Sequence, residues 1–186
     1  AGGHSWSDYG QPSAVHELVS LITKLTAIRL PREPRTTLNV GTIGGGTGVN
    51  VLASEAKCEL DLRSEDPKTL ANLVHQVEEL IVQAGRAGVK IMAEVIGERP
   101  AGGISAEHEF VQLAIKCSQE QGLEVILTTG STDANIPLSQ NIPAVVMGIT
   151  TGGGAHTTNE YIDLDPVIKG IDSLVRFVEL AGNGNW

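Results

Sequence analysis

The chain has 186 residues, of which 41% are hydrophobic and 19% charged, and its formal net charge is −9. This length and hydrophobic content exclude a disordered chain and are enough to bury a core in one or two domains. No basic patch and no Lys/Arg run interleaved with aromatic residues is present, which excludes nucleic acid as a partner. No run approaches the ~18 apolar residues of a membrane span. No signal-peptide pattern occurs either, so we expect a cytoplasmic protein without a membrane partner.

The cysteines and the first residues of the sequence support two further expectations. Cys58 and Cys117 fall in a predicted strand and a predicted helix, which favours buried free thiols over a disulfide. The sequence opens on Ala1-Gly2-Gly3-His4 without an initiator Met. We therefore expect a piece of a longer protein, or the second half of a split one.

The first region, residues 1–98, predicts the element order α-β-β-α-β. The periodicity of the apolar residues and the helix-end signals Asp66-Pro67 and Gly85 support this order. The predicted elements are residues 13–28, 36–43, 49–63, 66–85 and 89–96. With one more strand before residue 1, they would form the βαββαβ plan of a ferredoxin-like domain.

The second region, residues 99–186, predicts alternating helices and strands. Ser105 is the expected N-cap of the first helix, and Asp165-Pro166 opens the last. The predicted elements are a helix to residue 122, strands at 124–129 and 144–147, and the closing helix. Two strands are too few for a stable sheet, so we expect an incomplete α/β domain. Its missing half should lie N-terminal to residue 1 or on another chain.

Several common catalytic motifs are absent. The glycine-rich residues 44–48 suit a hairpin turn, because Thr47 stands where a phosphate-binding loop needs lysine. Ser131 lacks the flanking glycines of a hydrolase nucleophile, and both thiols fall on apolar faces. Three histidines fall in predicted helices and are expected to be surface or boundary residues: His16, His75 and His108. His4 and His156 remain as loop histidines available for chemistry.

The stretch around His156 is the strongest candidate for a site. Three glycines precede His156, Glu160 follows it by four residues, and a strand-like apolar run comes before them. A histidine presented from a glycine loop at a strand end is typical of α/β enzymes, although a solvated loop is the alternative. A catalytic zinc needs about three protein ligands, and neither His-x-Asp nor His-Glu-x-x-His occurs. Taken alone, the chain carries an incomplete metal site.

The order of these segments resembles a family of di-zinc exopeptidases and deacylases. Its members include acetylornithine deacetylase, succinyl-diaminopimelate desuccinylase, peptidase T and carboxypeptidase G. The resembling segments are residues 2–5, 45–50, 60–63, 99–101, 131–134 and 154–161. The resemblance implies an α+β chain in which residues 1–98 are a ferredoxin-like lid that also dimerises. Residues 99–186 would then be the C-terminal portion of the α/β catalytic domain.

The resemblance also implies roles for individual residues. His156 corresponds to the final zinc ligand, and His4 to the lid histidine that reaches the active site of the partner subunit. Asn50 and Arg99 match positions that contact substrate, and a guanidinium suits bidentate capture of a carboxylate. The loop of Ser131, Thr132 and Asp133 would line the pocket. The implied cofactor is a pair of zinc ions, with cobalt or manganese as alternatives.

The resemblance has one large departure. The family's His-x-Asp pair, its bridging Asp and its Glu-Glu pair with the general base all precede the lid, so the chain lacks the base. We expect a fragment of a homodimeric zinc hydrolase that acts on a small peptide or an N-acyl amino acid and is inactive alone. A non-catalytic dimerisation or binding module is the alternative. A third reading is a split enzyme whose N-terminal catalytic half is a separate polypeptide.

Overall fold

The chain divides into two compact units, residues 1–98 and 99–186. The structure is a computed structural model that describes residues 2–184. It is an α+β protein of helices and small two-stranded sheets, as the sequence predicts. Of the helices within residues 2–184, none combines the length and apolar character of a membrane-spanning segment.

The first unit combines two antiparallel strand pairs with two helices. Its elements are β1 (Gly3–His4), α1 (Ala14–Thr26), β2 (Thr36–Gly45), β3 (Val51–Leu52), β4 (Ala56–Ser64) and α2 (Pro67–Ala84). The pair β2–β4 runs from Thr36 opposite Ser64 to Gly45 opposite Ala56. The pair β1–β3 places His4 opposite Val51.

The single strand predicted at residues 49–63 is wrong, because two strands with different partners occupy it. Between β3 and β4, the Ala53 carbonyl accepts a hydrogen bond of 2.8 Å from the Ala14 amide at the start of α1. The Ala53 amide donates to the Ser13 hydroxyl at 3.3 Å. The Ala53 backbone groups therefore bond to residues at the start of α1 and not to a neighbouring strand. β2 and β4 do form the long antiparallel hairpin expected around the glycine stretch, but the connection between them is longer than that stretch and includes β3.

The ends of α2 are those that the sequence predicts. The Asp66 carboxylate accepts a hydrogen bond of 2.7 Å from the Thr69 amide, and Pro67 occupies the first helical position. The apolar faces of α1 and α2 then meet in a core of four buried residues, Leu21, Leu25, Leu73 and Val77. Leucines of β2 and β4 pack against that core, which joins helices and sheet in one unit.

The second unit is built around two helices. Its elements are α3 (Glu109–Glu120), α4 (Asn135–Ser139), β5 (Gly152–Gly153), β6 (Tyr161–Ile162) and α5 (Val167–Gly182). α3 and α5 bury Cys117 and Phe177 between them, and the rings of Phe110 and Phe177 meet edge to face at 5.0 Å. Both cysteines are free thiols, as predicted, but Cys117 is buried and Cys58 is only half-buried.

Three strands expected from apolar patterning are not formed. Residues 89–96, 124–129 and 144–147 belong to no strand of residues 2–184. Several of their apolar side chains are exposed, as shown by Met92 at 78% and Ile126 at 76%, whereas Val145 and Met147 are half-buried against the core of α3 and α5. A strand exists only with a neighbour to bond to, and the described chain gives these segments none.

The predicted N-cap of α3, Ser105, is wrong by three residues. The helix begins at Glu109, and His108 is its N-cap, with Nδ1 accepting a hydrogen bond of 3.1 Å from the Phe110 amide. The hydroxyl of Ser105 instead accepts from the Glu107 amide at 3.2 Å. An imidazole nitrogen therefore does the capping for which a serine is the commoner choice.

Candidate functional site

His4 lies at the end of β1 and is held by its neighbours. Its amide donates a hydrogen bond of 2.7 Å to Oδ2 of Asp8, and its ring Nδ1 accepts one of 3.2 Å from the Trp6 amide. The imidazole is exposed to solvent. A backbone N–H can donate only to an unprotonated ring nitrogen, so the neutral ring carries its proton on Nε2. His4 thus presents an N–H donor.

Asn50 lies beside His4 in the same unit. The carbonyl of Asn50 accepts a hydrogen bond of 2.9 Å from the amide of Ser5, the residue after His4. Asn50 immediately precedes β3, whose Val51 pairs with His4. The structure therefore brings these two predicted residues together, and both are exposed. Together they form a polar edge at the β1–β3 pair.

Arg99, Ser131 and Asp133 gather in the second unit. Arg99 Nη1 donates to the hydroxyl of Ser131 at 3.4 Å, and its Nη2 is 4.0 Å from Oδ1 of Asp133. The side chain of Arg99 is 55% exposed and that of Asp133 fully exposed, so the ion pair is weak. The guanidinium can therefore exchange this partner for another carboxylate at little cost.

Asn135 positions this loop, and the sequence did not single it out. Its Oδ1 accepts a hydrogen bond of 2.8 Å from the Thr132 amide, and its Nδ2 donates to the Pro100 carbonyl at 3.0 Å. One side-chain amide thus fixes Thr132 to the backbone just after Arg99. The only signal in the sequence was a local one, since Asn often bonds to its own turn.

His156 lies in the loop that joins β5 to β6. Gly152 pairs with Ile162 and Gly153 with Tyr161, so the two short strands form a hairpin with His156 in its loop. A side chain at Gly152 would overlap the carbonyl oxygen of Tyr161, and Gly154 has a φ of +67°. The glycines before His156 are therefore required by this hairpin.

His156 itself has a left-handed backbone. Its φ is +63°, and its amide donates to Oε2 of Glu160 at 3.3 Å. The Thr157 amide and hydroxyl both bond to the carbonyl of Gly154, at 3.0 and 2.7 Å. A left-handed non-glycine residue is uncommon, and such residues cluster at functional sites. The loop thus holds His156 in an unfavourable backbone conformation with its imidazole exposed. The Glu160 carboxylate accepts a hydrogen bond from the His156 amide.

The donors present fit one ligand of a metal centre and not a complete one. Among residues 2–184, no three His, Cys, Asp or Glu side chains come together to hold an ion. His156 offers an exposed imidazole, the usual nitrogen ligand of zinc. Any centre that His156 serves needs further ligands from beyond this set of residues.

The sequence contains one pair of adjacent glutamates, and it lies on a helix of the first unit. Glu78 and Glu79 are exposed residues of α2, and Oε1 of Glu79 is 3.3 Å from Nε2 of His75. This is an i,i+4 pair on a helix surface. His75 is therefore a solvent-exposed surface residue, as predicted.

Burial disfavours both thiols as nucleophiles. Burial raises the pKa of Cys117, which is 0% exposed, and burial also raises the pKa of Cys58. A raised pKa reduces the thiolate fraction at neutral pH, and the thiolate is the nucleophile. The candidate site residues are therefore the histidines and polar loops described above.

Comparison with known proteins places the two units in context. Residues 2–89 match the model of the M20 peptidase dimerisation domain. The chain is 27% identical over 176 residues to the uncharacterized protein YqjE of Bacillus subtilis, covering 91% of this chain and 46% of that protein. The chain spans about half the length of the relatives it matches.

Two solved structures share the fold of nearly the whole chain. A tripeptidase from Staphylococcus aureus superposes with a TM-score of 0.76 at 23% identity, covering 96% of this chain and 48% of that one. The aminopeptidase PepT from Bacillus cereus gives a TM-score of 0.70 at 22% identity, with the same coverage. At these identities the likeness shows the fold, and it extends over both units.

Proposed function

We propose that the chain is part of a metal-dependent amide hydrolase, since residues 2–89 match the model of the M20 peptidase dimerisation domain. The first unit would be its lid and the second the C-terminal portion of its catalytic domain. The observation that carries the proposal is the tripeptidase fold, which covers 96% of this chain and therefore extends well beyond residues 2–89. A dimerisation module alone would not need the second unit.

His156 is the residue we assign to metal binding. Its exposed imidazole, left-handed backbone and glycine-rich hairpin support this role. We infer zinc as the metal, with cobalt or manganese as alternatives, because neutral imidazole suits these ions. When bound, a metal pair of this kind supplies an activated water and a Lewis acid for amide hydrolysis.

His4 is the residue we assign to the scissile carbonyl. Its Nδ1 is occupied by the Trp6 amide, so Nε2–H is the group left to donate. A fixed N–H donor aimed at a carbonyl oxygen stabilises the negative charge that develops there. We propose that His4 acts in the site of the second subunit of a homodimer, since it lies in the dimerisation domain.

Arg99 and its loop are the residues we assign to substrate. The exposed guanidinium of Arg99 contacts the Ser131 hydroxyl at 3.4 Å and the Asp133 carboxylate at 4.0 Å, and it can bind a substrate carboxylate through two hydrogen bonds. Ser131, Thr132 and Asp133 would line the pocket beside it, and Asn50 would contact substrate from the lid. A small peptide or an N-acyl amino acid offers the amide and the carboxylate that this arrangement requires. We place the protein in the cytoplasm.

A non-catalytic dimerisation or binding module is the second candidate. It is favoured by the lack of a three-ligand cluster among residues 2–184. A split enzyme with a separate N-terminal catalytic half would reconcile that observation with catalysis.

The test mixes two inactive variants of the longer protein to which we assign this chain. His4→Ala and His156→Ala should each lower kcat by about 10²-fold or more on tripeptide or N-acyl amino acid substrates. If His4 of one subunit serves the site of the other, subunit exchange between the variants restores one site in each mixed dimer. Equal mixing then recovers about a quarter of wild-type activity, since half the dimers are mixed.

The outcomes separate the candidates. No recovery on mixing would place His4 in the site of its own subunit and contradict the cross-subunit role. His75→Ala is the matched control, because His75 is an exposed histidine of α2 that pairs with Glu79 on the helix surface. Hydrolysis that survives both His4→Ala and His156→Ala would remove the proposal and favour the binding module.

A further inference from the structure

Two hydrogen bonds between Asp8 and the backbone of His4 close the turn that follows His4. The Asp8 carboxylate accepts a hydrogen bond of 2.7 Å from the His4 amide, and the Asp8 amide donates to the His4 carbonyl at 3.0 Å. A side chain at Gly3 would lie 2.9 Å from Oδ2 of Asp8, so the carboxylate packs closely on the strand. Residues 4 and 8 are thereby held together at two points.

Trp6 lies in the middle of this closed turn. Its amide meets Nδ1 of His4 at 3.2 Å, while its side chain is 87% exposed. The backbone of Trp6, and not its indole, is therefore what fixes the imidazole. This hydrogen bond depends on the turn, because only a tight return of the chain brings the amide of residue 6 onto the ring of residue 4.

We propose that Asp8 is a positioning residue for His4. By closing the turn, its carboxylate holds the Trp6 amide on Nδ1 and so keeps the neutral ring in the Nε2–H tautomer with a fixed orientation. Asp8 is itself exposed to solvent. The role is indirect, since Asp8 contacts the backbone of His4 and not its ring.

The consequence for catalysis rests on the proposed function of His4. A donor is effective when it is aimed before the reaction, and a small displacement of such a group lowers the rate strongly. The carboxylate of Asp8 would therefore raise kcat without contacting substrate. The neighbouring hydrogen bond from Ser5 to Asn50 holds the other side of the strand end and is independent of Asp8.

The first test reads the imidazole nitrogens directly in the 186-residue chain. In ¹⁵N NMR at a pH where His4 is neutral, Nδ1 and Nε2 should show the separate shifts of one tautomer. In Asp8→Ala the two shifts should move toward each other, and the His4 and Trp6 amides should exchange with solvent faster. Unchanged ring shifts and unchanged exchange in Asp8→Ala would overturn the proposal.

The chain contains its own control for this measurement. His108 also accepts a hydrogen bond on Nδ1 from the amide two residues later, at 3.1 Å, but in the second unit. Its ring shifts should be the same in every variant, and unchanged amide exchange inside α1 and α2 reports that the first unit is folded. Asp8→Asn keeps an acceptor oxygen at the same place and should behave as wild type. If Asp8→Asn behaves as Asp8→Ala, the acceptor geometry is not the cause and the proposal is wrong.

The second test measures kinetics in the longer protein. Asp8→Ala should lower kcat by about tenfold with KM nearly unchanged, and Asp8→Asn should restore most of the rate. A raised KM with unchanged kcat would contradict a role in positioning His4. If His4→Ala itself leaves kcat unchanged, the proposed function of His4 fails. The ring-nitrogen result then still decides the role of Asp8 separately.

Discussion

Gly154→Ala should open the His156 loop without unfolding the rest of the second unit. Gly154 has a φ of +67°, and a methyl group there would lie 2.8 Å from the Asn159 carbonyl oxygen and 3.2 Å from Oγ1 of Thr157. The left-handed conformation alone costs an alanine about 1–2 kcal/mol. The close contact adds to that cost, so local opening should become at least about 5- to 30-fold more frequent.

Amide hydrogen exchange measures this opening residue by residue. The Thr157 amide bonds to the carbonyl of Gly154, and the Glu160 amide to that of Thr157. Both should exchange faster in Gly154→Ala by the factor given above, while the amides inside α5 keep their rates.

Gly148→Ala is the matched control for this substitution. The nearest heavy atom to a methyl group at residue 148 is at 3.7 Å, and this glycine has no left-handed φ. Its amide exchange in the His156 loop should equal that of wild type. Equal exchange in Gly154→Ala and Gly148→Ala would refute the claim that glycine is what allows this loop to present His156.

Three further predictions concern stability and reactivity. Leu25→Ala should cost about 2–5 kcal/mol in urea unfolding because Leu25 is 1% exposed, whereas Val82→Ala, at 78% exposure, should change stability by less than about 0.5 kcal/mol. Hydrogen bonds from Arg86 lower the pKa of Glu17, so this carboxylate stabilises the fold at neutral pH and loses that effect as pH falls through its lowered pKa. Glu17→Gln should therefore be less stable than wild type at pH 7 and equally stable in strong acid, and a pH-independent difference would contradict this. Iodoacetamide should alkylate Cys117 more slowly than Cys58, since Cys117 is fully buried, and the reverse order by mass spectrometry would be inconsistent with the packing of α3.

Helices were predictable because their signals lie within a few residues. Asp66-Pro67 predicts the start of α2, and the structure shows the Asp66 carboxylate on the Thr69 amide at 2.7 Å. The apolar spacing in residues 13–28 likewise predicts α1 and its buried Leu21 and Leu25. Local apolar spacing and capping are physical causes of these helices, so the helices can be predicted from the sequence.

Strands were less predictable because a strand depends on a neighbour that may be far along the chain. Residues 124–129 have the composition of a strand and yet form none within residues 2–184. Conversely, β1 is only two residues long and exists because β3 pairs with it. Composition shows whether a segment can form a strand, whereas pairing depends on which partner strands are present.

The candidate site was predictable where glycine or a histidine marked it. The glycines before His156 identified its loop, and the structure shows the left-handed backbone of that loop. Asn135 and Asp8 were missed, although both fix the residues that the sequence had singled out. Their effect comes through hydrogen bonds to backbone atoms, which leave no pattern in residue type.

We propose that His156 binds a metal ion, and the amount of bound zinc tests this proposal most directly. The measurement is zinc per chain after dialysis, by elemental mass spectrometry, in the longer protein as wild type, His156→Ala and His75→Ala. The account predicts that wild type and His75→Ala retain zinc, whereas His156→Ala loses it. Equal zinc in all three proteins would contradict the account.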